Sequence, residues 1–270
     1  MSVKELPSLV MEHLKDPFYA LLTIVYFLLV VVYAVTPPED ILTVSAVIYP
    51  PIAFVPCLLY LLSAKKVGFS WEDKFSVLVV FNALGSFFWL IAEIIWCYYY
   101  NLALGVEEPY PSEADIFYIV AAIFVVIGIA IYIHNLYQDM KGEITKREIT
   151  ISALFTAILT AIIAGLLSYP LTTYAAEEEL IVVCLDITYI ILDILMAVLI
   201  FVGMLLIRGR IGKVLFLFLL SALLVIIFDV AFAYLDLMEL YYDGHPIELL
   251  DIASYFIDAF AFYEIYKLYK

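Results

Sequence analysis

Two pairs of acidic residues stand out because they lie in apolar surroundings and have the same internal spacing. Glu93 is followed 22 residues later by Asp115, and Asp229 is followed 22 residues later by Asp251. The two pairs are offset by 136 residues. Carboxylates in an apolar environment can hold a proton or a cation, or can act together as general acid and base.

A second pattern places acids and tyrosines on single helix faces. In two sets of three residues the first and last members are seven positions apart, with steps of three and four between neighbours. The sets are Asp186, Tyr189 and Asp193, then Asp251, Tyr255 and Asp258. That spacing puts each set on one face of an α-helix. Aromatic rings beside carboxylates favour cations through combined charge and cation–π attraction. The predicted ligand-binding residues are Glu93, Asp115, Asp186, Asp193, Asp229, Asp251, Asp258, Tyr189, Tyr255 and Trp96.

A purely structural role is the alternative for each of these acids. Asp115 follows Ser112 by three residues, which is the spacing of a capping box at a helix start. Glu93 and Asp229 can equally serve as hydrogen-bonding pins between helices. The sequence does not decide between binding and structural roles.

The chain that must position these residues is an integral membrane protein. Of its 270 residues 66% are hydrophobic and 15% are charged, and the apolar residues form runs of about twenty. We predict an all-α fold with eight transmembrane helices, at about residues 17–35, 41–64, 75–101, 114–136, 149–170, 180–207, 213–241 and 248–267. Asp229, the counterpart of Glu93 in the other half of the chain, then lies within a span, as Glu93 does.

Basic residues predict the orientation of these spans, because Lys and Arg near span ends are retained in the cytoplasm. All 13 fit one assignment, with both termini cytoplasmic and the protein in the cell membrane: Lys4, Lys15, Lys65, Lys66, Lys74, Lys141, Lys146, Arg147, Arg208, Arg210, Lys213, Lys267 and Lys270. The loops on the opposite side carry acids only, among them Glu177 to Glu179. The net charge of −15 excludes nucleic acid as an expected partner.

The repeated acids also predict an internal duplication. Residues 1–140 form a first four-helix repeat and residues 141–270 a second, with acid, aromatic residues, an acidic turn with proline, and a further acid in the same order. Because four is an even number, both repeats enter the membrane from the same side. We expect a pseudo-twofold axis along the membrane normal.

Several short motifs resemble one family of membrane modules. They are E-I-I-W-x-Y-Y from Glu93, P-Y-P-S-x-A-D-x-F-Y at 109–118, D-x3-A-Y from Asp229, a G-H-P turn, and L-D-I-x-x-Y from Leu250. Over about residues 15–267 the chain resembles the eight-helix sensor modules found before some bacterial and archaeal diguanylate cyclases and histidine kinases, and as stand-alone archaeal proteins. The resemblance implies sensing at the membrane. The chain ends three residues after the last predicted span, so we expect a separate signalling partner.

Three functions follow as competing hypotheses. The first is a sensor or binding module, in which an outward-facing acidic and aromatic pocket receives a cation, a proton or a small amphiphile and reports to a cytoplasmic or membrane partner. The second is a proton- or cation-coupled transporter for a small solute. The third is an intramembrane hydrolase, which the missing GxGD and HExxH motifs disfavour. We expect no catalytic residue and no cofactor other than a bound cation, and the sequence leaves any metal undefined.

Overall fold

All regular secondary structure is helical in the residues that the computed structural model describes, which are 15–139, 145–173, 180–207 and 209–268. The helices are α1 (Pro17–Val35), α2 (Ile41–Val67), α3 (Lys74–Glu93, continued as a π-helix over Ile94–Leu104), α4 (Glu113–Asp139), α5 (Lys146–Thr173), α6 (Leu180–Leu206), α7 (Gly209–Asp236) and α8 (Glu248–Leu268). The eight predicted helices are therefore all present. The bilayer is the environment that such apolar helices require.

Seven of these helices, α1 to α7, are long and apolar enough to cross a membrane. The chain is thus a multi-pass membrane protein. Helix α8 falls outside this group because charged residues interrupt it, among them Asp251, Asp258 and Glu264. Its apolar residues Ile252 and Phe262 are completely buried against the other helices.

The predicted boundary of the seventh span, at residue 241, is wrong. Helix α7 ends at Asp236 and a loop of residues 237–247 follows. Glu239 adopts a positive φ of 54°, which no α-helix continues, and the backbone N–H of Leu240 bonds back to the carbonyl of Leu235. The loop brings Tyr241 and Tyr242 over the end of the bundle.

Helix α3 changes its winding immediately after Glu93. The eleven residues Ile94–Leu104 are π-helical, and the segment ends at Gly105 in the left-handed region with φ 68°. A π-turn holds more residues than an α-turn, so side chains after Glu93 are rotated relative to those before it. Trp96, Cys97 and Tyr100 become buried by this rotation.

Six helices form a closed ring in the order α2, α3, α4, α6, α7, α8 and back to α2. Helix α1 packs outside the ring against α8, and α5 packs outside it against α6 and α7. Two apolar clusters fill the ring, one around Leu78, Phe218 and Phe262 and the other around Tyr49 and Ile252. The ring encloses the polar residues of α8.

Close contact between α3 and α4 depends on glycine. A Cβ added at Gly85 would lie 2.6 Å from Val125 Cγ2 and 2.9 Å from the carbonyl oxygen of Ala121. A Cβ at Gly128 would lie 2.6 Å from the Cβ of Phe81. These two glycines let the helix backbones approach closely, as small residues do in membrane proteins.

The two ends of the described chain lie together. Lys267 Nζ lies 3.5 Å from Asp16 Oδ2 and 2.8 Å from Glu264 Oε1. Glu264 also pairs with Lys213 at 3.2 Å and accepts a hydrogen bond from Tyr19. We call this side of the bundle the basic face, and the side with loops 36–40, 105–112 and 237–247 the acidic face. Of the residues used above to predict orientation, Lys4, Lys141, Arg208, Lys270 and Glu177 to Glu179 lie outside the described residues.

Candidate functional site

A cavity of about 380 Å³ lies in the ring at the acidic face, and we call it the large cavity. Helices α3, α4, α6, α7 and α8 and two loops, 105–112 and 237–247, contribute to its wall. It runs from exposed side chains such as Glu107 and Tyr242 down to buried ones such as Glu93, which is 1% exposed. The cavity therefore joins the acidic face to the interior of the bundle.

Acidic and aromatic side chains make almost the whole lining. The ten acids are Glu93, Glu107, Glu108, Asp115, Asp186, Asp229, Asp236, Glu239, Asp243 and Asp251, and the nine aromatic residues are Trp89, Trp96, Tyr110, Tyr118, Tyr189, Phe228, Phe232, Tyr241 and Tyr242. Val182 completes the set. Within the described part of the chain, no Lys or Arg contributes to this lining.

Glu93 lies at the floor of the large cavity and is held by three aromatic donors. Its Oε1 accepts hydrogen bonds from Tyr255 at 2.5 Å, Tyr118 at 3.0 Å and Trp89 Nε1 at 3.2 Å. Its Oε2 accepts a weak hydrogen bond from the Cys97 thiol at 3.9 Å, and no other hydrogen bond to this oxygen is found among the described residues. Three donors on one oxygen leave the second oxygen with spare acceptor capacity.

Trp89 and Tyr255 also bond to each other, across 2.6 Å from the indole nitrogen to the phenolic oxygen. Trp89 lines both the large cavity and a second cavity of about 90 Å³, which we call the small cavity. Tyr255 lines the small cavity and reaches Glu93 in the large one. The pair forms the partition between the two cavities.

Asp115 has a structural and a lining role at once. Its Oδ2 accepts the backbone N–H of Ser112 at 2.7 Å, and the Ser112 hydroxyl accepts the N–H of Ala114 at 3.0 Å. This is the helix-start arrangement that the S-E-A-D spacing predicts. Its Oδ1 accepts the hydroxyl of Tyr189 at 2.6 Å, which ties α4 to α6 within the cavity wall.

Asp186 is one of two buried acids, with Asp193, in which one carboxyl oxygen has no hydrogen-bond partner among the described residues. It is 4% exposed, and Tyr110 donates to its Oδ1 at 2.7 Å. Its Oδ2 is buried and has no hydrogen-bond partner among the described residues. A buried polar oxygen without a partner costs free energy, so this atom marks a position where a bound donor would be stabilised.

The remaining predicted acids divide between the cavities. Asp229 and Asp251 line the large cavity, together with Glu93, Asp115 and Asp186. Asp258 lines the small cavity. Asp193 is 5% exposed and lines neither cavity; its side chain interacts with Asp229, and its Oδ2 has no hydrogen-bond partner among the described residues.

The predicted aromatic residues divide in the same way. Trp96 and Tyr189 line the large cavity, and Tyr255 lines the small one. The spacing of 3 and 4 therefore correctly groups Asp186 and Tyr189 in one wall of the large cavity. Asp193 is one turn further along α6 and lies beyond that wall. Whether any of these residues binds a ligand stays a prediction.

Loop carboxylates close the rim of the large cavity. Asp243 accepts from Trp96 Nε1 at 3.2 Å and from the backbone N–H of Glu108 at 3.3 Å, so it links the two loops. Burial raises the pKa of Asp243 to about 6. Burial also raises the pKa of Glu108 to about 8, and neighbouring Asp115 and Asp243 add to the rise while a hydrogen bond from Ser112 opposes it.

Glu248 holds the second loop to the bundle. It is completely buried, and its carboxylate accepts from Ser45 at 2.7 Å, Tyr33 at 2.9 Å, Tyr241 at 3.1 Å and the backbone N–H of Gly244 at 2.5 Å. Four donors satisfy this acid fully. It therefore differs from Asp186, although both are buried carboxylates.

Sequence reasoning missed several residues of the site. Trp89 stands one helical turn before Glu93 and could have been found from that spacing, whereas Glu108, Asp236 and Asp243 had no local signal. Among the described residues, no three His, Cys, Asp or Glu side chains converge closely enough to hold a metal ion together. The carboxylates are instead spread over the wall of a cavity with aromatic surfaces between them.

Comparisons with known proteins give no relative on which a function can be based. No protein-family model matches the chain, and neither a curated protein nor a solved structure matches it.

Proposed function

We propose that the protein is a membrane-embedded binding module whose large cavity takes an organic cation. The observation that carries the proposal is the unpartnered Oδ2 of Asp186, in a lining of ten acids to which no described Lys or Arg contributes. Buried carboxylates are costly unless they are paired, protonated or hydrated. A cation bound in the cavity would supply the missing positive charge.

The size and the walls of the cavity favour an ammonium group on a small organic molecule. A volume of about 380 Å³ lies in the range of small-molecule sites, about 300–1,000 Å³. Nine aromatic residues offer ring faces, and cation–π attraction grows when the cation is desolvated. The apolar part of an amphiphilic amine would pack on the same rings.

The orientation belongs to this proposal. We take the acidic face as the outer surface and the basic face as the cytoplasmic one, with both termini in the cytoplasm, because Lys and Arg at span ends are retained inside. The contact between Asp16 and Lys267 supports an even number of crossings, with α8 as the eighth. Polar residues inside a span are tolerated when they line a cavity, as Asp251 and Asp258 do.

The arrangement as two repeats, residues 1–140 and 141–270, also stays a proposal. The order of helices around the ring supports it, because the neighbours α2–α3, α3–α4 and α4–α6 have counterparts in α6–α7, α7–α8 and α8–α2. The positions of α1 and α5 depart from this symmetry, since α1 contacts α8 whereas α5 contacts α6 and α7.

Sensing is the role we assign to such a binding module. Ligand binding that bridges α4, α6 and α7 would change how these helices pack, and their opposite ends reach the basic face. A cytoplasmic or membrane partner would read that change there. The resemblance to membrane sensor modules supports the assignment of a sensor with a separate partner.

A transporter is the second candidate, and one observation favours it. The small cavity lies next to the large one, with Trp89 and Tyr255 between them. A movement of this pair would join the two cavities. A binding module without transport function needs no second cavity.

Melting of the purified protein in detergent tests the proposed function. Choline is the probe, and its uncharged carbon isostere dimethylbutanol is the matched ligand control. A ligand that binds only the folded state stabilises it by mass action, so the melting temperature should rise with choline concentration. The Glu93→Gln/Asp229→Asn double variant should keep the fold and lose the response.

Two results would contradict the proposal. One is an equal response to choline and dimethylbutanol, which would show that charge has no part in binding. The other is an unchanged choline response in the double variant. Asp40→Asn removes a charge from an exposed residue of the acidic face outside the cavity, so this variant should behave like wild type.

A further inference from the structure

The small cavity holds a lone carboxylate among neutral oxygen and nitrogen groups. Asp258 projects into it from α8, and Ser221, Ser254, Asn82 and Tyr60 line it with apolar residues. Asp258 is the only acid in the lining, and no Lys or Arg of the described chain reaches it. The volume of the small cavity is about 90 Å³, against about 380 Å³ for the large cavity, so it takes a smaller occupant.

The polar groups of the small cavity are connected to one another. Ser221 hydrogen-bonds to Asp258, and its hydroxyl lies 3.3 Å from the backbone carbonyl oxygen of Ser254. On the opposite wall Tyr60 donates to Asn82 Oδ1 at 3.4 Å. Carboxylate, hydroxyl, carbonyl and amide oxygens are the ligands that small hard cations prefer in proteins.

A hydrogen-bonded route leads from this site to the large cavity. Ser254 lies beside Asp251, with its hydroxyl 2.7 Å from the Asp251 carbonyl oxygen and 3.4 Å from Oδ1. Asp251 lines the large cavity and Ser254 lines the small one. Next to this link, Tyr255 and Trp89 close the direct opening.

We infer that the small cavity is a separate site for one small monovalent cation, a proton or a sodium ion, which Asp258 holds and which exchanges with the large cavity past Ser254 and Tyr255. One positive charge neutralises the one carboxylate. The site differs from the large cavity in its smaller size and in its single charged residue. It does not depend on the organic cation proposed above, so each proposal can fail alone.

Melting of the full-length protein in sodium chloride or caesium chloride at equal ionic strength tests whether the small cavity binds a sodium ion. Sodium should raise the melting temperature of wild type with a saturating dependence, and caesium, whose lower charge density binds carboxylate and hydroxyl oxygens more weakly, should raise it much less. Asp258→Asn should abolish the sodium response. Ser221→Ala should raise the sodium concentration needed for half the effect by about tenfold, since a hydrogen-bonding partner of a charged group is lost.

Infrared spectroscopy tests whether Asp258 instead holds a proton. A protonated carboxyl has a carbonyl stretch that a carboxylate lacks, and in wild type this band should contain a component that disappears in Asp258→Asn. Asp139→Asn is the matched control, because Asp139 is exposed at the end of α4 and touches neither cavity. It should keep the band and the sodium response.

Either a sodium response or a protonated-carboxyl band that depends on Asp258 supports the inference and identifies the ion. The absence of both in wild type overturns it. If Asp258→Asn does not fold, Ser221→Ala decides, because it keeps the carboxyl and should still shift the sodium dependence or the frequency of the band. A wild-type choline response without any Asp258-dependent signal would leave the proposed function intact and remove only this site.

Discussion

Tyr110 binds one carboxyl oxygen of Asp186 in the wall of the large cavity and leaves the other without a hydrogen bond. The phenol of Tyr110, in the loop 105–112, donates to Asp186 Oδ1 at 2.7 Å, and Asp186 Oδ2 on α6 has no partner in the described chain. The hydrogen bond fixes the direction of the carboxyl. The second oxygen is thereby held in place, buried in the wall of the cavity, before any ligand arrives.

The first prediction follows from this arrangement. Asp186→Asn should weaken choline binding by tenfold or more. Removing one partner of a buried charge pair costs about 2–5 kcal/mol of binding free energy. The fold should survive, since the Asn carbonyl oxygen can still accept from Tyr110. Isothermal titration calorimetry measures the affinity, with Asp40→Asn as the control for a general loss of negative charge.

An affinity within twofold of wild type in Asp186→Asn would contradict this prediction. A second variant separates charge from orientation: Tyr110→Phe keeps the carboxylate but releases its direction. Its effect on affinity should be smaller than that of Asp186→Asn.

The second prediction concerns Glu248, the fully satisfied carboxylate. Glu248→Ala should lower the free energy of unfolding by about 1–3 kcal/mol for each buried donor left without a partner. The exposed fraction of the side chain is 0%, and four donors point at it. Thermal melting measures the loss, and the acidic-face variant Glu39→Ala is the control at an exposed site.

Tyr33→Phe removes one of the four donors and should cost less than Glu248→Ala. Equal melting temperatures for Glu248→Ala and wild type would show that the loop 237–247 is not held by this carboxylate.

The third prediction compares a tightly packed glycine, Gly85, with a glycine in open space, Gly165. Gly85→Ala should destabilise the protein, because its new Cβ would lie 2.9 Å from the backbone oxygen of Ala121, which cannot rotate away. Gly165→Ala should stabilise it by about 0.5–1 kcal/mol, since nothing lies within 4 Å of the added Cβ and alanine favours helix. Thermal melting of the two variants compares them directly, and a stabilising Gly85→Ala would contradict the packing of α3 on α4.

Much of this architecture could be predicted from the sequence, for a physical reason. The apolar runs mark helices because backbone groups in a bilayer must bond within their own segment. The start of α1 at Pro17 and the start of α8 at Glu248 therefore match the predicted positions. The equal spacing of Glu93 to Asp115 and of Asp229 to Asp251 singled out four acids in the sequence. All four line the large cavity.

The rest depends on contacts between distant parts of the chain. No local pattern marks Glu248, because its partners Tyr33 and Ser45 lie more than 200 residues away in sequence. The π-helix after Glu93 has no sequence signal of its own. Asp193 fits the face of Asp186 by spacing, yet it lies further along α6, where it interacts with Asp229 and lines neither cavity.

The fourth prediction tests the proposed orientation by cysteine labelling in intact cells. Cys57, Cys97 and Cys184 are free thiols, and a variant with all three replaced by alanine provides the background. A cysteine introduced at Glu39 or Glu239 should react with a membrane-impermeant maleimide added outside. A cysteine at Glu72 should react only after the cells are permeabilised. The reverse pattern would place the acidic face in the cytoplasm and remove the argument for an outward-facing cavity.

The fifth prediction concerns pH and the rim of the large cavity. Burial raises the pKa of Glu108 in the folded protein to about 8, from an ordinary value of 4.5. The folded state then binds this proton more tightly than the unfolded state does between these two values. Its contribution to stability is complete below about pH 4.5 and is lost as the pH rises through about 8.

Wild type should therefore melt at progressively lower temperature between about pH 5 and about pH 8, a window set by the Glu108 shift. Asp115, Asp243 and Glu113 face Glu108 and add to this slope by repulsion, and Ser112 opposes it by donating a hydrogen bond. Glu108→Gln stays neutral at every pH and should flatten the slope. Glu107→Gln removes the same charge from the exposed neighbouring side chain and should keep the wild-type slope. If Glu108→Gln and Glu107→Gln give the same slope, the shifted proton does not belong to Glu108.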